Sequence, residues 1–114
     1  MSINFFELKF LITDSFYGEA LKNGYSFEQS AKICYEAFSE YITEDGAECV
    51  VALSSILRLI LRHDLQLTGY DIKNLDKALL LFGQLDMKSI LTESEFEYLE
   101  EDIMILEHKR KELK

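Results

Sequence analysis

The stretch Gly46-Ala47-Glu48-Cys49-Val50-Val51-Ala52-Leu53-Ser54-Ser55-Ile56-Leu57-Arg58-Leu59-Ile60-Leu61-Arg62-His63 decides the fold. At 3.6 residues per turn, its Val, Leu, Ile and Ala side chains cover nearly the whole circumference of a helix. Only Glu48, Ser55, Arg58 and Arg62 interrupt them as a narrow polar stripe, so the spacing predicts a helix lodged between neighbours. It is too short, and too charged along that stripe, to span a bilayer. Asp45 and Glu48, in Asp-x-x-Glu spacing with Gly46 just inside, supply the expected cap.

Working outward, the preceding segment reads as a helix opened by a Ser26/Gln29 capping box and running to about Ile42, with Tyr25 stapled ahead of it. Phe27, Ala31, Cys34, Phe38 and Ile42 have the spacing of its buried stripe. Before that, a first helix is predicted from about Ile3 to Asn23, stopped by Gly24. On the other side, Thr68 with Asp71 caps a helix through Leu85, with the face Ile72, Leu75, Ala78, Leu79, Phe82 and Leu85 and a fraying end at Gly83. Thr92 with Glu95 opens a last helix toward Lys114, whose seam is Phe96, Leu99, Ile103, Leu106 and Leu113. Near-heptad spacing fits packing on the chain's own bundle, with a dimer stripe as the alternative. No alternating strand pattern and no internal repeat appears. The expectation is an all-α single domain over residues 1–114, a bundle of about five helices with a largely buried central third helix.

Twenty-one Asp and Glu against 12 Lys and Arg give a net charge of −9 on a proline-free chain of 114 residues. Such a chain repels nucleic acid and anionic lipid and is steered toward cationic surfaces. At 13.3 kDa, area scaling allows about two thirds of the unfolded surface to be buried, enough for one core. The opening residues carry Glu7, Asp14 and Glu19 without a basic start or clean apolar run, so neither a signal peptide nor a membrane span is predicted. The expected location is cytoplasmic.

Chemistry is sparse. In an antiparallel hairpin around Glu44-Asp45-Gly46, Cys34 and Cys49 are offset axially by roughly 10 Å, beyond the roughly 7 Å Cα limit for a disulfide. Both are expected as buried, reduced thiols. His63 beside Asp64, and His108 in Glu107-His108-Lys109-Arg110-Lys111, suit helix C-termini better than an acid–base pair. No Glu-x-x-His pair, phosphate loop, zinc signature or nucleophile elbow is present, so no enzyme, metal or cofactor is predicted.

The acidic residues divide into two kinds. Asp45, Glu48, Glu93, Glu95 and Glu97 fall in first turns, where carboxylates offset the positive helix end by about 0.3 to 1 kcal/mol each. Glu36, Glu40 and Glu44 stand four apart toward the C-terminal end of the second helix, where each like pair costs about 0.2 to 0.5 kcal/mol. Arg58 and Arg62 are expected at the opposite end of that hairpin, near Lys32 and Glu28. An uncompensated row points to an external cationic partner, with a merely solvated face as the alternative, and Tyr35, Tyr41 and Tyr98, beside the acidic rows and off the best core stripe, are the expected anchors.

The run Lys22-Asn23-Gly24-Tyr25-Ser26-Phe27-Glu28-Gln29-Ser30-Ala31, followed by the aromatic helix to Ile42, the acidic turn and the segment Val50 to Asp64, resembles small all-helical immunity proteins of bacterial polymorphic toxin systems. Within them it is closest to the family called immunity protein three, over roughly residues 10 to 85. The resemblance implies a cytoplasmic protein that binds and neutralises a cognate toxin domain, often a nuclease. A homodimeric or scaffold-binding helical module, using the last helix's seam, is the alternative expectation.

Overall fold

In the computed structural model, which describes residues 4–113, the chain runs through α1 (Phe5–Phe10), a π-helical segment (Leu11–Gly18), α2 (Glu19–Lys22), α3 (Phe27–Ala37), α4 (Ser39–Thr43), α5 (Ala47–Arg62), α6 (Gly69–Gln84), α7 (Met87–Ile90) and α8 (Glu93–Glu112). The expected start at Ile3 and end at Lys114 lie outside the described residues. Among the described residues no strand forms, and the architecture is all-α.

Three helix starts are set by reciprocal caps. Ser26, Thr68 and Thr92 accept the N–H groups of Gln29, Asp71 and Glu95, whose side chains accept the cap residues' own N–H groups. Two helix ends close by a Schellman turn. After α2, Gly24 takes φ +90°, its N–H donating to the Leu21 carbonyl and that of Tyr25 to the Ala20 carbonyl. After α5 the same pattern recurs with Asp64 at φ 52°, a left-handed position occupied by a residue with a Cβ.

From Phe5 to Lys22 the helix is continuous, and its middle widens into the π form. At the onset the Thr13 hydroxyl donates to the Lys9 carbonyl at 2.9 Å, competing for the acceptor that an α-helical ladder would use.

Around α5 pack α1, the π-helical segment, α3, α4, α6 and α8. Its apolar side chains from Val50 to Leu57, with Leu59 and Ile60, are buried on all sides. Ser55, expected on the polar stripe, is buried with Ser54, because α5 has neighbours on that side as well. Arg58 is satisfied by Asp102 of α8, whose two oxygens accept from Arg58 Nε at 3.2 Å and Lys9 Nζ at 2.7 Å. One partly buried carboxylate thereby ties α1, α5 and α8 together. The last helix's seam turns inward: Leu99, Ile103 and Leu106 are buried, with Phe96 and Leu113 packed beside them.

Four local expectations change. The helix after Ser26 stops short of Ile42: it breaks at Phe38 (φ −108°, ψ 22°), and the chain restarts as α4 so that Phe38 and Ile42 both sink into the core. Phe27 is not part of the buried stripe but lies exposed against His63, with ring centroids 4.0 Å apart. Asp45 does not cap α5; Gly46 is the N-cap, without a side-chain bond, and Asp45 turns to Lys77 at 3.3 Å. The short helix α7, absent from the periodicity reading, buries Met87 ahead of Leu91. Among the described residues no helix is long and apolar enough to cross a membrane.

Candidate protein-binding surface

The break at Phe38 redistributes the acidic row. Glu36 lies in the last turn of α3, Glu40 in the first turn of α4, and Glu44 on the extended residue that follows it (φ −86°, ψ 148°). They therefore do not form one uninterrupted ladder at four-residue spacing. All three are exposed, and among the described residues none stands within ion-pair distance of a Lys or Arg. Lys32, one turn before Glu36, reaches neither it nor Glu28 at that distance. Lys77 on α6 donates its ammonium to the Ile42 carbonyl at the end of α4 and pairs with Asp45. Lys77 neutralises the turn and leaves the row free.

The three tyrosines separate. Tyr41 is 40% exposed and stacks on Phe38, which in turn meets Phe16 of the π-helical segment edge-on at 5.0 Å. Phe16 is itself 40% exposed. Tyr41 and Phe16 thus form an aromatic patch beside Glu40. Tyr98, on α8, is 55% exposed and packs edge-on against Phe6 at 5.4 Å, with Phe10 exposed further along the same helix as Phe6. Among the described residues no aromatic ring pair joins that patch to Tyr41.

Tyr35 is no anchor. It is only 7% exposed, because its position one turn beyond Ala31 turns its ring inward. Its hydroxyl donates to Asp71 Oδ1 at 2.8 Å, and Asp71 Oδ2 accepts the Thr68 N–H at 2.9 Å. Burial, then the adjacent Asp71 carboxylate, pushes the Tyr35 phenol far above its ordinary range. Asn74, buried beside this pair, makes no hydrogen bond of normal geometry through its Nδ2 among the described residues, yet its amide lies near enough to the Tyr35 phenol to oppose part of the upward shift.

Tyr35 forms the back of a cleft of about 910 Å³ between α3 and the Leu65–Thr68 connection. Glu28, Lys32 and Glu36 line one side, and Tyr70, 54% exposed and edge-on to Tyr35 at 5.0 Å, lines the other. Periodicity gave no warning of the cleft, Phe16, Tyr70 or Lys77. Tyr70 is the second residue of α6, between the Thr68 cap and Asp71, a position the cap signal leaves unassigned.

The remaining titratable groups lie elsewhere. His63 closes α5, its Nδ1 2.8 Å from the Tyr17 hydroxyl and 3.1 Å from the Leu59 carbonyl. Burial pushes the Tyr17 phenol up to about 12. Cys34 and Cys49 are free and buried, and donate to the Ile12 and Ile42 carbonyls. Burial raises both thiols, Cys34 to about 12. Among the described residues no cluster of His, Cys, Asp and Glu forms a metal site. No protein-family model, curated protein or solved structure matches the chain.

Proposed function

We propose that this chain is an immunity protein that binds a cognate bacterial toxin domain, a nuclease being the class whose substrate cleft is basic, and occludes that cleft stoichiometrically. The observation that carries the reading is the exposed row Glu36, Glu40 and Glu44, without a cation at ion-pair distance among the described residues and beside the Tyr41–Phe16 patch. Exposed carboxylates speed encounter with a basic surface, and exposed aromatics supply contacts that become desolvated on docking. Tyr98 belongs to a second patch, outside this surface. The protein acts by binding, in the cytoplasm, without catalysis or cofactor.

A homodimer through the α8 seam is disfavoured on packing grounds, since Leu99, Ile103 and Leu106 already fill the chain's own core. The test is stopped-flow association with a catalytically inactivated toxin encoded beside the gene. The wild-type rate falls steeply from low salt to about 0.15 M, where the screening length is about 8 Å. Glu36→Gln, Glu40→Gln and Glu44→Gln together slow association roughly tenfold or more. A triple variant that associates as fast as wild type, with the same salt dependence, would sink the reading.

A further inference from the structure

The cleft beside Glu36 has a specific chemistry. Its about 910 Å³ lies within the roughly 300–1,000 Å³ of ligand sites. Ala31, Ile60, Leu65 and Leu67 make parts of its wall apolar, while Glu28 and Glu36 on α3 stand across from the exposed ring of Tyr70. Asp71 adds a third carboxylate, engaged by the Tyr35 hydroxyl and the Thr68 N–H, so it contributes negative potential rather than a free contact. Against these three, the lining carries one ammonium, Lys32, at ion-pair distance from none of them. The cleft reaches Ser39, the first residue of α4, which precedes Glu40 in the chain.

A carboxylate on one wall, an aromatic ring on the other and apolar surface between them match the parts of an arginine side chain. The guanidinium fork pairs with carboxylate, its plane stacks on a ring, and its alkyl stem covers apolar groups. The geometry points to this cleft as the receptor for an arginine side chain presented by the basic surface of a protein partner. Glu36 pairs with the guanidinium, Tyr70 is the stacking platform, and the Tyr35–Asp71 pair fixes the back wall. Lys32 opposes entry and sets the affinity below what the carboxylates alone would give. The inference rests on the immunity reading for the partner's identity alone; recognition of the side chain belongs to the cleft itself.

Three probes test it by nitrogen-15 NMR on the full chain: the capped peptide acetyl-Leu-Arg-Leu-amide, its citrulline counterpart, and ethylguanidinium. The arginine peptide is expected to shift the Glu36, Leu67 and Tyr70 resonances saturably, with the uncharged citrulline peptide roughly tenfold weaker. Tyr70→Ala and Glu36→Gln each weaken binding roughly fivefold with the helical circular dichroism unchanged, and Lys32→Gln tightens it roughly threefold. Equal affinity for arginine and citrulline overturns the cation assignment, as does weaker binding by Lys32→Gln. Ethylguanidinium binding as tightly as the peptide overturns the protein source, and absence of saturable shifts overturns the site. Peptide failure alongside row-dependent toxin association removes the cleft alone, whereas peptide binding alongside row-independent association removes the immunity reading alone.

Discussion

Between Val50 and Ile60 every residue except Arg58 is buried, whereas between Glu36 and Glu44 only Phe38 and Ile42 are. Both stretches are helical and lie against each other, but they are constrained differently. α5 meets neighbours all round, so nearly every side chain there is chosen by packing. The α3–α4 edge is held by two core residues four positions apart, and its other positions are set by solvent or by whatever docks. Sites for recognition are free to reside on the second kind of element, where substitution leaves the core untouched.

The largest expected effect lies on the α5 side. Leu57, 1% exposed, leaves a cavity when cut to Ala, at a cost of about 2 to 5 kcal/mol in urea denaturation. A loss below about 1 kcal/mol would erase the contrast between the two stretches.

Tyr35 is the residue at the edge that behaves as core. Tyr35→Phe removes the donor to buried Asp71 and is expected to cost about 1 to 2 kcal/mol at neutral pH. Because the folded-state phenol is raised above its ordinary value of 10.0, its contribution is fully present below pH 10.0 and is lost as pH rises beyond it. Tyr17, raised to about 12, adds a loss between pH 10.0 and about 12. Denaturation at stepped alkaline pH should therefore show a shallower decline in Tyr35→Phe than in wild type. An identical slope would mean that the Tyr35 phenol is neither buried nor paired with Asp71 in solution.

How much of this was legible depended on which force set each feature. The caps at Ser26, Thr68 and Thr92 were readable because each is a local hydrogen-bond exchange within four residues. So was the Gly24 stop, because a glycine tolerates the left-handed turn on its own account. The break at Phe38 was not readable: the same three-and-four spacing fits an unbroken helix, and the choice is made by how Phe38 and Ile42 meet α5. Tyr35 turns inward, against the expected exposed position, for a related reason: its partner Asp71 is 36 residues away and invisible to periodicity. The cleft, built from α3 and the Leu65–Thr68 connection, is likewise a product of tertiary packing.

A smaller effect lies where α5 hands over to the cleft wall. Asp64 holds φ 52° and places a carboxylate at the negative end of α5, so both backbone and dipole disfavour it. Asp64→Gly is expected to stabilise the fold by about 0.5 to 1 kcal/mol after the glycine's greater unfolded-state entropy is subtracted. Destabilisation in the same assay would show that the Asp64 side chain holds the Leu65–Thr68 connection.

The smallest stability effects belong to the acidic row, and their signs carry the information. Glu36 sits at the C-terminal end of α3, so Glu36→Gln removes an unfavourable dipole interaction and is expected to stabilise by a few tenths, about 0.3 kcal/mol. Glu40 occupies the first turn of α4, where its charge is favourable, so Glu40→Gln is expected to lose about the same amount. Glu44 lies beyond α4 on extended backbone, and Glu44→Gln is expected to move stability by less than about 0.2 kcal/mol. The triple variant then sits close to wild type, in contrast to Leu57→Ala, so any large change in its association reflects the surface and not the fold. Replicate urea curves with a common m-value resolve the pattern. Equal gains at all three sites would mean that α3 and α4 run as one helix in solution and that the row is a regular ladder after all.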